Sequence, residues 1–170
     1  TTDIYTLSLH DALPILQGIL NNSISHRRLA LQNIIANTSL DGILVSDMNN
    51  IRYLTGFSGS DGVLILCPGR VVLLVDGRYT TQASSEAMEV NVVEYKNKIQ
   101  GIRDAILEFG LKEIGFEASF VSVETHDDLA KCIEPSKLVP LADSLRQLRA
   151  VKDDLEILAI SHTPASPPVI

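Results

Sequence analysis

Two serines, an aspartate and three glycines fall within the seven residues Gly56 to Gly62, GFSGSDG, and no other stretch of the chain comes nearer to catalytic equipment. Three chemistries use glycine-rich turns of this general kind. A phosphate loop needs GxxxxGK[ST], in which backbone amides cradle the phosphates and a lysine neutralises them, and that lysine is missing. A dinucleotide fingerprint needs GxGxxG between a strand and a helix, whereas Gly56, Gly59 and Gly62 are evenly spaced and lead into an apolar run that reads as a strand. A nucleophile elbow needs GxSxG; Ser58 follows Gly56 correctly, but Ser60 stands where the second glycine belongs. What remains is physical: glycines and small side chains let a short loop approach another surface closely, with Phe57 either packed inward or offered to that surface.

The other reactive side chains point to no chemistry of their own. His26 and His126 read as solvated or capping residues near helix starts, neither with a second ligand at metal spacing. His126, Asp127 and Asp128 are consecutive on an expected helix, so their side chains diverge and do not converge on one ion. Asp76, in DGRY, ends an apolar strand and reads as the residue that turns the chain into the next helix. Cys67 and Cys132 lack CxxC spacing and read as reduced thiols of a cytoplasmic protein. Accordingly no catalytic residue and no metal ligand is assigned.

The elements that would position the loop follow from periodicity and turn chemistry. A helix capped by Ser25 is expected over HRRLALQNIIANT, with Leu29, Ile34 and Ile35 on its apolar face. A short strand at Ile43–Ser46 is followed by one or two helical turns, capped by Asp47 or Asn49 and ended by Gly56 in the left-handed conformation. GVLILC and RVVLLVDG, separated by Pro68-Gly69, form an expected antiparallel hairpin buried on both faces. Helix, strand, helix, strand, helix and strand then alternate through RYTTQASSEAM, EVNVVEY, KIQGIRDAILEFG, EIGFE, SVETHDDLAKCI and KLVPL. This is an α/β domain with a mixed β-sheet flanked by helices.

At 170 residues with 45% hydrophobic content the chain fits one domain with a sizeable core, and its net charge of −7 would repel nucleic acid. No run approaches the roughly 20 apolar residues of a membrane helix, so no membrane partner is expected. The two ends read differently from the centre. Within residues 1–16, IYTLSLHDALPI resembles one reading frame of a sequencing adapter, which makes this segment an expected artefact or disordered extension. Leu145, Leu148, Val151, Leu155 and Leu158 recur at helical spacing in LRQLRAVKDDLEILAI, and the helix is expected to stop in SHTPASPPVI, whose three prolines cannot continue it. Residues 25–143 are therefore the expected domain, 144–160 a linker helix, and 161–170 a disordered or frameshifted tail.

The ordered combination NNIRYLTGF, GSDG, LLVDGRY and LRAVKDDLEI resembles the N-terminal domain of the Xaa-Pro aminopeptidase, prolidase and creatinase family, over about Arg28 to Ile160. The resemblance implies a noncatalytic domain whose missing C-terminal partner is a pita-bread catalytic domain. That partner would hold two divalent metals, typically manganese, on two aspartates, a histidine and two glutamates, none of them in this chain. LRAVKDDLEI would enter its first helix. The resemblance further implies a homodimer in which the N-terminal domain walls the neighbouring subunit's cleft, and a peptide substrate cleaved after the residue preceding proline. The loop so implied is Phe57, Ser58, Gly59, Ser60 and Asp61, with Arg78 as its support, and Phe57, Ser60 and Asp61 shaping a substrate pocket. The chain alone is expected to be inactive. The alternative is a stand-alone α/β protein-interaction or peptide-binding module with a native proline-rich tail.

Overall fold

In a strand, successive side chains point to opposite faces, so a continuous apolar run must be covered on both. The computed structural model, which describes residues 9–141 and 144–162, meets this demand with a three-layer arrangement. Six strands, β1 (Gly42–Val45), β2 (Val63–Cys67), β3 (Arg70–Val75), β4 (Asn91–Glu94), β5 (Glu113–Glu117) and β6 (Lys137–Leu141), form one sheet in the order β4-β3-β2-β1-β5-β6. Leu44, Ile65, Val72 and Leu74 face α4 (Lys98–Glu108) and α5 (Val123–Cys132), meeting Ile102, Ile106, Leu129 and Ile133. Ile43, Val45, Leu64, Leu66, Leu73 and Val75 face the other way, onto Leu31 and Ile35 of α1 (Leu9–Ala36), Ile51 and Leu54 of α2 (Met48–Thr55), Ala83 of α3 (Thr80–Glu86) and Leu145 of α6 (Ser144–Ala150). A last helix, α7 (Asp154–His162), follows α6.

The hairpin forms as expected, with Val63 opposite Leu74 and Cys67 opposite Arg70, and with Gly69 at φ 75° in the turn. β1 pairs antiparallel with β2, while β1–β5, β5–β6 and β3–β4 are parallel. Strand β2 alone therefore runs against the other five. Its N-terminal end lies at the edge where the other strands have their carboxyl ends. The GFSGSDG loop, which feeds β2, thus shares one rim of the sheet with the segments leaving β1, β3, β4, β5 and β6.

Three expectations are corrected. Ser25 does not cap a helix: α1 is continuous from Leu9, through part of the segment read as an extension. The buried stripe Ile24, Arg28, Leu31, Ile35 already repeats at helical spacing ahead of Ser25, so Ser25 is interior and its hydroxyl donates to Glu89 at 2.8 Å. For the same reason His26 sits mid-helix and exposed, and Leu29, off the stripe, is exposed. The single linker helix is instead two, broken at residues 151–153. Asp153 accepts from the Glu156 N–H at 2.9 Å and its own N–H donates back to Glu156 Oε2 at 3.1 Å, a reciprocal capping box that starts a new helix where the old one would have run on. Residues 1–8 and the proline-rich segment from 163 onward lie outside the described residues.

Candidate functional site

The loop is launched by helix α2. Asp47 caps it, accepting from the Asn49 N–H at 2.9 Å, and Gly56 ends it at φ 83°, with its N–H on the Arg52 carbonyl at 2.8 Å. A left-handed residue at this point turns the chain down onto the core. Phe57 follows and is fully buried, edge-on to Tyr79 with 6.0 Å between ring centroids. This corrects the expectation that Phe57 shapes a pocket: its ring faces the core and carries the loop from beneath. Gly59 lies directly on that ring, where a Cβ would stand 2.2 Å from Phe57 Cζ. Here the glycine is required by the chain's approach to its own phenylalanine.

Ser58 and Ser60 are exposed on top of the loop, each fastened to a residue of the next helix or its start. Ser58 donates through both its N–H and its hydroxyl to Glu86 Oε2, each at 2.8 Å, and Gln82 bridges the pair, donating to Ser58 Oγ at 3.1 Å and Glu86 Oε1 at 3.0 Å. These bonds, the backbone one foremost, hold the Glu86 carboxyl below its usual range. Ser60 Oγ and the Tyr79 hydroxyl share a hydrogen bond at 2.6 Å. Arg78 lies over the Tyr79 ring, 5.5 Å from its centroid, and pairs with Asp76 at 2.6 Å; the Asp76 carboxylate also accepts from the Arg78 N–H, closing the turn expected of it. Arg78 thus reaches the loop through Tyr79.

Asp61 turns the other way. Its carboxylate accepts from the Tyr95 hydroxyl at 2.8 Å and is paired with Lys98. Burial pushes this carboxyl upward, but the Lys98 and Tyr95 hydrogen bonds outweigh it and hold the group below its ordinary value. Tyr95 is pushed far above its usual range by burial and by the adjoining Asp61 charge. Ser60, Asp61 and Lys98 line a cavity of about 270 Å³ with Ser46, Met48 and Phe120. The structure therefore brings Ser60 and Arg78 together around Tyr79, ties Ser58 to Glu86 and Gln82 of α3, and sets Asp61 apart on a separate network.

None of these serines has a base: their partners are a carboxylate, an amide and a phenol, which position a hydroxyl without drawing off its proton at neutral pH. Nor does the donor set suit the metals implied by the resemblance, because among the described residues no group of three or more His, Cys, Asp and Glu is placed to hold an ion. His126 rests against the Phe116 ring and Asp127, as a surface residue.

Sequence reasoning missed a second site on the same rim. Glu117, the last residue of β5, is buried; its Oε2 accepts from the Ser46 and Asp47 N–H groups at 2.7 and 2.8 Å, and its Oε1 from Asn50 Nδ2. Asn50 in turn accepts from Arg149 of α6 at 3.0 Å. Burial pushes the Glu117 carboxyl above its ordinary value despite those donors. The group borders a cavity of about 390 Å³ that also meets Phe120, Leu141, Leu145 and Arg146. The signal was a glutamate at the carboxyl end of a parallel strand, where open α/β sheets place their crevices.

Residues 27–151 match the family model described as the creatinase/prolidase N-terminal domain. The chain is 33% identical over 128 residues to the uncharacterized peptidase YqhT of Bacillus subtilis, covering 75% of this chain and 36% of that protein. Among solved structures, the N-terminal domain of the cytoplasmic peptidase PepQ from Mycobacterium tuberculosis is 38% identical with a TM-score of 0.68, covering 73% of this chain and 98% of that one. The Xaa-Pro dipeptidase from Bacillus anthracis superposes with a TM-score of 0.75 at 25% identity, covering 79% of this chain and 38% of that one. The chain spans less than two fifths of the length of the curated relatives it matches. With residues 27–151 matching its model and the sheet superposing on its solved members, the chain belongs to the creatinase/prolidase N-terminal domain family.

Proposed function

We propose that this chain is the noncatalytic N-terminal domain of a cytoplasmic Xaa-Pro aminopeptidase-like metallopeptidase. Its companion catalytic domain would hold two divalent metals, manganese in the first instance, and remove the residue preceding proline. The domain would serve dimer assembly and wall a substrate cleft with its exposed loop, Ser58 to Asp61, steadied by Phe57 beneath and by Arg78 through Tyr79. Bond-making would belong to the companion alone.

The observation that carries this reading is the match of residues 27–151 to a domain that occupies the N-terminal part of longer peptidases. Three further facts support it. Every polar side chain of the loop is braced by a neighbour, which suits a wall and not a nucleophile. A relative with this domain is described as a cytoplasmic peptidase, and no described helix is long and apolar enough to cross a membrane. Ile157, Leu158 and Ile160 of α7 are exposed apolar residues at the end that the catalytic domain would follow.

The test has two arms. The 170-residue chain incubated with manganese and a proline-containing dipeptide should release no proline, and hydrolysis by the chain alone would overturn the assignment. A chain extended through its downstream reading frame should hydrolyse the same peptide. In that extended protein Ser60→Ala with Asp61→Ala should raise KM more than it lowers kcat, whereas unchanged kinetics would remove the loop from the substrate's path.

A further inference from the structure

The 390 Å³ cavity lies beyond the carboxyl ends of β1, β5 and β6 and is flanked by α6. Its apolar lining is Leu141, Leu145 and the half-exposed Phe120. Its charges are Asp47 and Glu117, and Arg146 and Arg149 of α6. The acids are already occupied. Both Glu117 oxygens accept hydrogen bonds, and Asp47 Oδ1 takes the Asn49 N–H at 2.9 Å and the Asn49 side-chain amide at 3.0 Å, while its Oδ2 lies 3.8 Å from Arg149. Arg149 spends one nitrogen on Asn50. Arg146, three residues earlier on the same helix, has no hydrogen-bond or ion-pair partner among the described residues.

We propose that this cavity is a binding site for a small monocarboxylate with an apolar body, such as the C-terminal end of a short peptide or an N-acylated amino acid. The carboxylate pairs with Arg146, which offers a planar pair of N–H donors suited to it. The apolar part lies against Phe120, Leu141 and Leu145, and the exposed Ser119 also lines the cavity. The buried acids set the charge of the ligand: Asp47 and Glu117 tolerate a single negative charge at the arginine side and oppose a dianion. The cavity volume falls within the range of small-ligand pockets. Because α6 carries both arginines and is followed after the break at 151–153 by α7, a bound carboxylate would stiffen the helix leading out of the domain. This site uses none of the residues of the loop proposed to wall a substrate cleft, although Phe120 borders both cavities.

The test is a titration of the isotope-labelled 170-residue chain, followed by amide chemical shifts, with N-acetyl-L-leucine, N-acetyl-L-leucinamide and inorganic phosphate as probes. N-acetyl-L-leucine should give saturable shifts clustered at Ser119, Phe120 and 145–149, with a dissociation constant in the low millimolar range. The neutral amide and phosphate should bind about tenfold more weakly or not at all, and Arg146→Gln should weaken N-acetyl-L-leucine by about tenfold. Arg52→Gln, an exposed arginine outside the cavity, should leave the titration unchanged. The proposal is overturned by any of three results: no saturable shift up to about 20 mM, equal binding of acid and amide, or shifts unaffected by Arg146→Gln.

Discussion

Replacing Glu117 by glutamine changes one atom and should destabilise the domain, although it removes a buried charge. The geometry of Asn50 decides the matter. Its Oδ1 accepts from Arg149, so its Nδ2 is committed to Glu117, which also receives two backbone N–H groups from Ser46 and Asp47. A carboxylate accepts from all three. A glutamine has one oxygen, so its own NH2 must face a donor, leaving a buried donor unsatisfied at a cost of about 1–3 kcal/mol. The surviving bonds also lose their charge assistance, about 1 kcal/mol. Relief of the burial penalty that pushes Glu117 upward offsets part of that loss.

The net is a loss of about 2 kcal/mol, or a melting temperature lower by about 4–8 °C for a chain of this size. Thermal unfolding followed by circular dichroism at neutral pH measures it. The pH dependence sharpens the test. The folded pKa of Glu117 lies above the unfolded value of about 4.3, so between those two values the folded chain takes up the proton first, and wild-type stability rises as pH falls through the folded pKa. Glutamine lacks that gain, and the gap between wild type and variant should widen on acidification from pH 7 toward about 4.5. A variant that melts at or above wild type, or a gap that closes on acidification, would falsify the donor accounting.

Gly59→Ala should cost about 1–3 kcal/mol in denaturant unfolding, because its Cβ would collide with the buried Phe57 ring and either ring or loop must shift. A double-mutant cycle of Arg27→Ala with Asp153→Ala should return a coupling of about 1–2 kcal/mol. That pair closes at 2.6 Å with the arginine mostly buried, and Arg27 also donates to the Tyr53 carbonyl; a coupling near zero would show that α1 does not anchor the break between α6 and α7. Asp61→Asn should cost under about 1 kcal/mol at neutral pH, since Asp61 and Lys98 are each about a third exposed. Its clearer mark is in acid: the depressed Asp61 pKa gives stability that is lost as pH falls below about 3.9, and a stability profile that falls as steeply in the variant would count against the Asp61–Lys98 pairing.

The strands and the hairpin were legible because Val63–Cys67 and residues 71–75 are unbroken apolar runs around a Pro-Gly turn, a local signal. The ends of α2 were legible for the same reason, in Asp47 and Gly56. The start of α1 was misread because a serine before polar residues looks like a cap unless the upstream Ile24 is already known to be buried. The break after α6 was hidden because the same leucine spacing continues across it, while Asp153 and Glu156 act through backbone bonds that hydrophobic periodicity does not register. In the loop, the residues could be named but not their duties. Ser60 meets a tyrosine 19 residues away and Asp61 a lysine 37 away, so only the folded sheet tells which of them is exposed, and Phe57 turns out to be foundation. The Glu117 cavity joins residues separated by 67 and 99 positions, beyond the reach of any spacing rule.

The lone reversed strand divides the molecule into a working end and a handle. Pro68 and Gly69, at the tip of the hairpin, project from the edge opposite the loop and both carboxylate-lined cavities, and a Cβ at Gly69 would meet nothing within 4 Å. A fluorophore or surface tether attached at Pro68→Cys would therefore leave every proposed contact facing outward, so that an immobilised domain could be screened against peptides or companion domains without masking them.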